Sequence, residues 1–123
     1  MKSMNRAVGA KGEEDAARAL KKRGYRILEA NFRAPRGEID LVAEYKGMLV
    51  FIEVKARRDD RFGTPLDAVD ARKRRRIIHA AEAYLATRKI TDRAVRFDVV
   101  SVYLDRDPVA VEVLENAFPA DPP

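Results

Sequence analysis

Residues Glu38–Ala56 read EIDLVAEYKGMLVFIEVKA, and their alternation decides the fold class. Two largely apolar runs flank Lys46-Gly47, a pair suited to a two-residue hairpin turn. With Tyr45 facing Met48, Asp40 falls opposite Glu53 and Glu38 opposite Lys55. Side chains alternate between the faces of a strand, so these four charged residues share one face. The other face carries Ile39, Leu41, Ala43, Val50, Ile52 and Val54, an apolar surface that requires a helix over it. On the charged face Val42 and Phe51 come next, which puts the charges at the border of a buried patch.

Before the hairpin, Gly9–Gly24 has helical periodicity: Ala16, Ala17 and Leu20 form an apolar stripe. Lys21, Lys22 and Arg23 load the last turn, and Gly24 ends it. Tyr25–Phe32 reads as a strand, followed by a turn at Ala34-Pro35-Arg36-Gly37. After the hairpin a charged loop, Arg57–Gly63, leads to Thr64-Pro65-Leu66-Asp67. Thr64 is placed as an N-cap and Pro65 as the first helical residue, and the helix is predicted to run to about Thr87. Val95–Leu104 and Val109–Leu114 are predicted strands. The order is αβββαββ, an α/β fold whose long helix crosses over between strands. One domain is expected over residues 9–116, with flexible ends at 1–8 and 117–123.

The chain has 123 residues, enough for one sizeable core, with 46% hydrophobic and 37% charged residues. Its net charge of +5 suits a polyanion partner without requiring one. Zero cysteines exclude disulfides, thiolate metal sites and a cysteine nucleophile. The one histidine, His79, excludes multi-histidine metal sites. Chemistry here rests on carboxylates, lysine and arginine. No apolar run is long enough to cross a bilayer, and the first fifteen residues lack the apolar core of a signal peptide. A cytoplasmic protein is expected, with no membrane partner.

Carboxylates that face each other across a strand pair repel unless a cation or a proton lies between them. A hard divalent cation such as Mg²⁺ takes oxygen ligands of this kind and keeps other positions for waters and a phosphate. Lys55 shares the face of Glu53 and can offset negative charge on an attacking oxygen or a phosphate. The same four residues also suit an ordinary cross-strand ion network, but three acids against one base leave it net negative.

Two helical residues join this group by periodicity. Glu13 lies on the row of Ala16, Ala17 and Leu20, whereas Glu14 pairs outward with Arg18. In the second helix the inward row is Val69, Lys73, Ile77, Ala80, Ala81 and Tyr84. Lys73 therefore interrupts an apolar stripe, which favours an anionic neighbour or a snorkelling stem. Arg72, Arg74, Arg75 and Arg76 surround it. With Lys21, Lys22, Arg57, Arg58 and Arg61 they suggest contacts to a phosphate backbone. His79 has no assigned role, and Asp98 stands outside the site.

Gly37–Val42 (GEIDLV) followed by Phe51–Arg57 (FIEVKAR) resembles the D…ExK core of the PD-(D/E)xK nucleases. More closely, the chain resembles the YraN family, similar in fold to archaeal Holliday-junction resolvases. The likeness takes in Gly12-Glu13, Gly24-Tyr25, Asn31, Phe62-Gly63, Lys73, Ala80-Ala81, Tyr84-Leu85 and Arg96–Val100. It implies a restriction-endonuclease-like fold, a central mixed sheet flanked by helices. It also implies metal ligation by Asp40 and Glu53, with the Val54 carbonyl, and an attacking water oriented or activated by Lys55. Glu13 would complete the metal site, as a matching helix glutamate does in related nucleases. Ile39 stands where the superfamily's name has a proline, which is not a ligand.

The expected function is Mg²⁺- or Mn²⁺-dependent hydrolysis of phosphodiester bonds in DNA, branched or otherwise structured. Lys73, Arg72, Arg76, Arg57 and Arg58 are the expected DNA contacts. The resolvase likeness makes a homodimer a further expectation. The alternatives are a nucleic-acid-binding module of the same fold with little chemistry, and a basic protein–protein adaptor.

Overall fold

Lys46 and Gly47 both take the left-handed backbone, with φ of 51° and 81°, and so close a tight hairpin in which Tyr45 pairs with Met48. This hairpin joins the second and third of five strands in a computed structural model that describes residues 2–57 and 69–119. In chain order the elements are α1 (Lys2–Lys22), β1 (Arg26–Ala34), β2 (Gly37–Tyr45), β3 (Met48–Arg57), α2 (Ala71–Thr87), β4 (Val95–Tyr103) and β5 (Ala110–Phe118). The order αβββαββ is the one the sequence predicts.

The strands lie side by side in chain order. All neighbours are antiparallel except β3 and β4, which are parallel. A parallel pair needs a long crossover, and α2 provides it. The two helices cover opposite faces. Ala16, Leu20 and Tyr25 pack on Leu41, Val50, Ile52 and Val100. On the other face Ile77, Ala80, Ala81 and Tyr84 pack on Val42, Phe51, Phe97 and Val99. Leu49–Glu53 is buried throughout, as expected of a strand with both faces covered.

The ends of α1 and α2 follow from local chemistry. Gly24, at φ 97°, lets Tyr25 N–H donate to Leu20 C=O and its own N–H to Lys21 C=O, a Schellman ending. The predicted N-cap, Thr64, and the start at Pro65 lie outside the described residues. Asp70, however, is extended (φ −74°, ψ 175°) and accepts the Lys73 N–H, so the helix bearing Lys73 begins at Ala71 rather than running unbroken from Thr64. Val69, placed on that helix by periodicity, precedes it but is fully buried. The last strand continues to Phe118, four residues past the predicted Leu114, because Phe118 stacks on Phe97 and closes the core. No helix among the described residues is long and apolar enough to cross a membrane.

Two glycines set the distance between layers. A Cβ on Gly37 would come within 2.1 Å of the Arg76 carbonyl oxygen, so only glycine allows β2 to start against the backbone of α2. A Cβ on Gly12 would meet the Ala56 Cβ at 3.0 Å, so α1 sits close on the end of β3.

Candidate active site

The β2–β3 ladder runs in the predicted register from Tyr45↔Met48 to Leu41↔Ile52 and then stops. Asp40 stops it. Its Oδ2 accepts the Val54 N–H at 2.7 Å, so a side chain takes a donor of the β3 backbone. Beyond this point the expected cross-strand pairs do not form. Glu38 pairs instead with Arg33 of β1, both as strand neighbours and through an ion pair at 3.7 Å. Lys55 lies not against Glu38 but beside Lys73.

A kink accompanies this break. Ala30↔Leu41 and Phe32↔Ile39 are paired, and between them Asn31 is left-handed, with φ 56°. Asparagine tolerates that conformation better than most residues. Across the kink the faces exchange: Leu41 packs in the α1 layer, whereas Ile39 packs in the α2 layer. The expectation that Ile39 shares a face with Leu41 and Ala43 is therefore corrected. Asp40 occupies the crossing point and is reached from both sides of the sheet.

Glu13 comes from the α1 side. With its amide nitrogen turned to that carboxylate, Asn31 donates to both oxygens at 3.0 and 3.3 Å. Burial and then the Asp40 charge push Glu13 up to about 7 from an ordinary 4.5. Glu53 points to the α2 side and is itself buried. Burial and then Asp40 push it to about 7 as well, against the opposing pull of Lys73. Asp40 also moves up, by burial, although the Val54 N–H counters the rise. Three acids from three elements thus crowd together, with more negative charge than their surroundings offset.

Two lysines supply part of the offset. Lys73 Nζ stands 3.0 Å from Glu53 Oε1, with the lysine side chain 37% exposed and the glutamate 9%. Burial disfavours the Lys73 charge, but Glu53 and Asp40 outweigh it and hold the ammonium above its usual range. Lys55 moves the opposite way, lowered first by the neighbouring Lys73 charge and then by burial. A small open cleft of about 180 Å³, lined by Glu38, Glu53, Lys73, Arg76 and Ile77, leads to this group. A second, of about 200 Å³, adjoins it through Glu38 and Arg76 and adds Arg33 and the Pro35 turn.

The predicted residues thus divide. Glu13, Asp40, Glu53, Lys55 and Lys73 gather at one place, and Arg76 stands at the cleft. Arg72 is exposed on the first turn of α2. Arg57 ends β3, where its carbonyl accepts the Leu104 N–H, and Arg58 and Arg61 lie outside the described residues. Lys21 and Lys22 are far from the site, eight and nine residues beyond Glu13 along α1, or about 12–14 Å at the helical rise. Asp98 is fully buried. It accepts from Arg96 Nε and Nη2 and from the Tyr25 hydroxyl at 2.8 Å and from the Asn116 N–H at 2.9 Å, a tie between strands rather than a site residue. Sequence reasoning missed the roles of Asn31 and Arg33. An asparagine inside a strand-like run, where that residue is uncommon, was the available signal for the first. Nothing in the sequence singled out the second.

The donor set suits a hard divalent cation, since carboxylate oxygens are what such ions take. As they stand, Asp40 is drawn to the Val54 N–H and Glu53 to Lys73. Among the described residues no three acid side chains form a ready metal cage.

Comparison with known proteins gives one consistent result. The family model described as "Uncharacterised protein family UPF0102" matches residues 12–102. A UPF0102 protein of Moorella thermoacetica is 48% identical over 120 residues, 96% of this chain and 100% of the relative. Another, from Caldanaerobacter subterraneus subsp. tengcongensis, is 43% identical over 122 residues, again 96% and 100%. A third, from Dictyoglomus thermophilum, is 42% identical over 116 residues, 93% and 98%.

Proposed function

The chain belongs to the uncharacterised protein family UPF0102, the YraN family, and on that premise we propose that it is a metal-dependent nuclease that cuts structured DNA. One observation carries the reading: Glu13 and Glu53 converge on Asp40 at a break in the sheet, beside two lysines, and Glu53 lines a cleft. Holding three acids together, Glu53 buried and the other two half-buried, is unfavourable without a cation. Asp40, Glu53 and Glu13 would hold Mg²⁺ or Mn²⁺, which when bound supplies Lewis-acid polarisation of a phosphodiester.

The chain's own residues do the rest. Lys55 Nζ, lowered by Lys73 and by burial, is suited to orient an attacking water and to exchange a proton with it. Arg76 and Arg33, on the adjoining clefts, hold flanking phosphates. Phosphate contacts carry shape rather than sequence information, which favours branched or flapped DNA over a defined sequence.

The Lys73–Glu53 ion pair at 3.0 Å favours a second reading, a binding module in which lysine has taken the cation's place for good. One experiment separates the two. Labelled four-way junction, flap, single-stranded and duplex DNA are incubated with Mn²⁺ or EDTA, beside Glu53→Ala. Cutting that needs Mn²⁺ and disappears in the variant is expected. Tight binding to one shape without cutting by either protein would favour the module. Neither cutting nor binding would leave a protein–protein adaptor.

A further inference from the structure

We propose that Lys73 is a tethered stand-in for the metal: its ammonium occupies Glu53 while no ion is bound, is displaced when a divalent cation arrives, and then binds the DNA phosphate. The proposal rests on the metal-dependent reading above and adds a coupling that reading does not contain.

Glu53 is buried beside Asp40, and the Lys73 ammonium is in contact with it. A divalent ion on Asp40 and Glu53 would deliver two positive charges beside that ammonium. Beside the buried Glu53 carboxylate the two cations repel, and both compete for it. Lys55 strengthens the effect, since a second ammonium already crowds Lys73. Lys73 is the more easily displaced of the two competitors. Its backbone is fixed by the Asp70 cap at 2.9 Å, but its head sits on a flexible four-carbon stem that is 37% exposed.

The destination is also defined. Lys73 and Arg76 line one cleft with Glu53 and with Glu38, which is itself paired with Arg33, and an ammonium leaving Glu53 swings into that cleft. A phosphate there meets Lys73 and Arg76 together. Without metal, the ion pair with Glu53 holds Lys73 back from that phosphate. Metal and DNA therefore bind cooperatively through one side chain, and linkage requires that each strengthen the other equally.

The test uses the full chain without DNA. Mn²⁺ binding is measured by the loss of the free-ion electron paramagnetic resonance signal for wild type, Lys73→Met and Lys73→Arg. Removing the competitor is expected to tighten Mn²⁺ binding by about tenfold in Lys73→Met, the scale of one charge-assisted contact. Lys73→Arg keeps the charge and should stay near wild type. Equal or weaker binding by a folded Lys73→Met overturns the stand-in role and leaves the metal reading intact. No Mn²⁺ binding by wild type or Lys73→Met overturns both.

A second measurement needs no variant. Acylation of Lys73 by an amine-reactive ester, followed by mass spectrometry, should accelerate several-fold when Mg²⁺ saturates wild type. An unchanged or slower rate overturns the displacement.

Discussion

Asp40 stands between Glu13 and Glu53 and also accepts a backbone donor, so its substitutions read out two roles. In Asp40→Asn the side-chain oxygen can still take the Val54 N–H while the new amide donates to Glu53. The metal-free variant should be more stable than wild type by on the order of 1 kcal/mol, a few degrees in Tm. The rise in Tm that Mg²⁺ gives wild type should vanish in it; a calorimetric scan of both proteins, with and without Mg²⁺, checks both. A pH dependence follows from the neighbours. Glu13 and Glu53 titrate near 7 in the folded chain against an ordinary 4.5, so between these values the folded state holds more protons than the unfolded chain. Metal-free stability should therefore fall as pH rises from 4.5 through about 7, and Glu53→Gln should flatten the fall. Thermal melts across that window that stay level or rise for wild type would sink this assignment. At this scale the sequence was legible where spacing speaks. Glu13 came from the helical row, Asp40 and Glu53 from strand alternation, and Lys73 from its intrusion into an apolar stripe. The capture of Val54 N–H by Asp40 was not legible, because alternation assumes a ladder that continues. For the same reason Glu38 was set opposite Lys55 instead of Arg33.

Elements meet at this site through glycine. Gly37 brings β2 onto α2 and Gly12 brings α1 onto β3, and these two approaches deliver Lys73 and Glu13 to Asp40. Gly37→Ala would force a Cβ against the Arg76 carbonyl oxygen at 2.1 Å. A loss of about 3 kcal/mol or more is expected in urea unfolding, since backbone must move. Gly12→Ala meets only another Cβ at 3.0 Å and should cost less, about 1 kcal/mol or below. Equal costs at both positions would show that layer spacing is not what these glycines set. The elements themselves were largely readable: five strands and two helices in their order, and the Lys46-Gly47 turn with its register. The α2 start was misread because Thr64-Pro65 is a stronger local helix signal than Asp70. The end of β5 was misread because Phe118 is held by stacking on Phe97, a contact distant in sequence.

Over the whole molecule the net charge of +5 is less informative than where its members stand. Arg33 and Arg76 adjoin the acid group, whereas Lys21 and Lys22 lie at the far end of α1. Arg76→Ala should reduce the slope of log K against log salt for DNA binding by about 1, while the double change Lys21→Ala and Lys22→Ala should leave it close to wild type. The reverse pattern, read by fluorescence anisotropy over a salt series, would put the DNA on another face. One further consequence follows from the parallel pair at the sheet's centre, where Leu49 meets Val95. Hairpins of neighbouring strands close over a few residues and form quickly, but β3 and β4 can join only after the whole α2 connection has been laid down. Asp40 and Glu53 belong to the early hairpin, and Lys73 to the late connection. The acids and Lys55 are thus assembled before Lys73, and the nascent chain passes through a stage in which Lys55, solution cations and protons neutralise them without it.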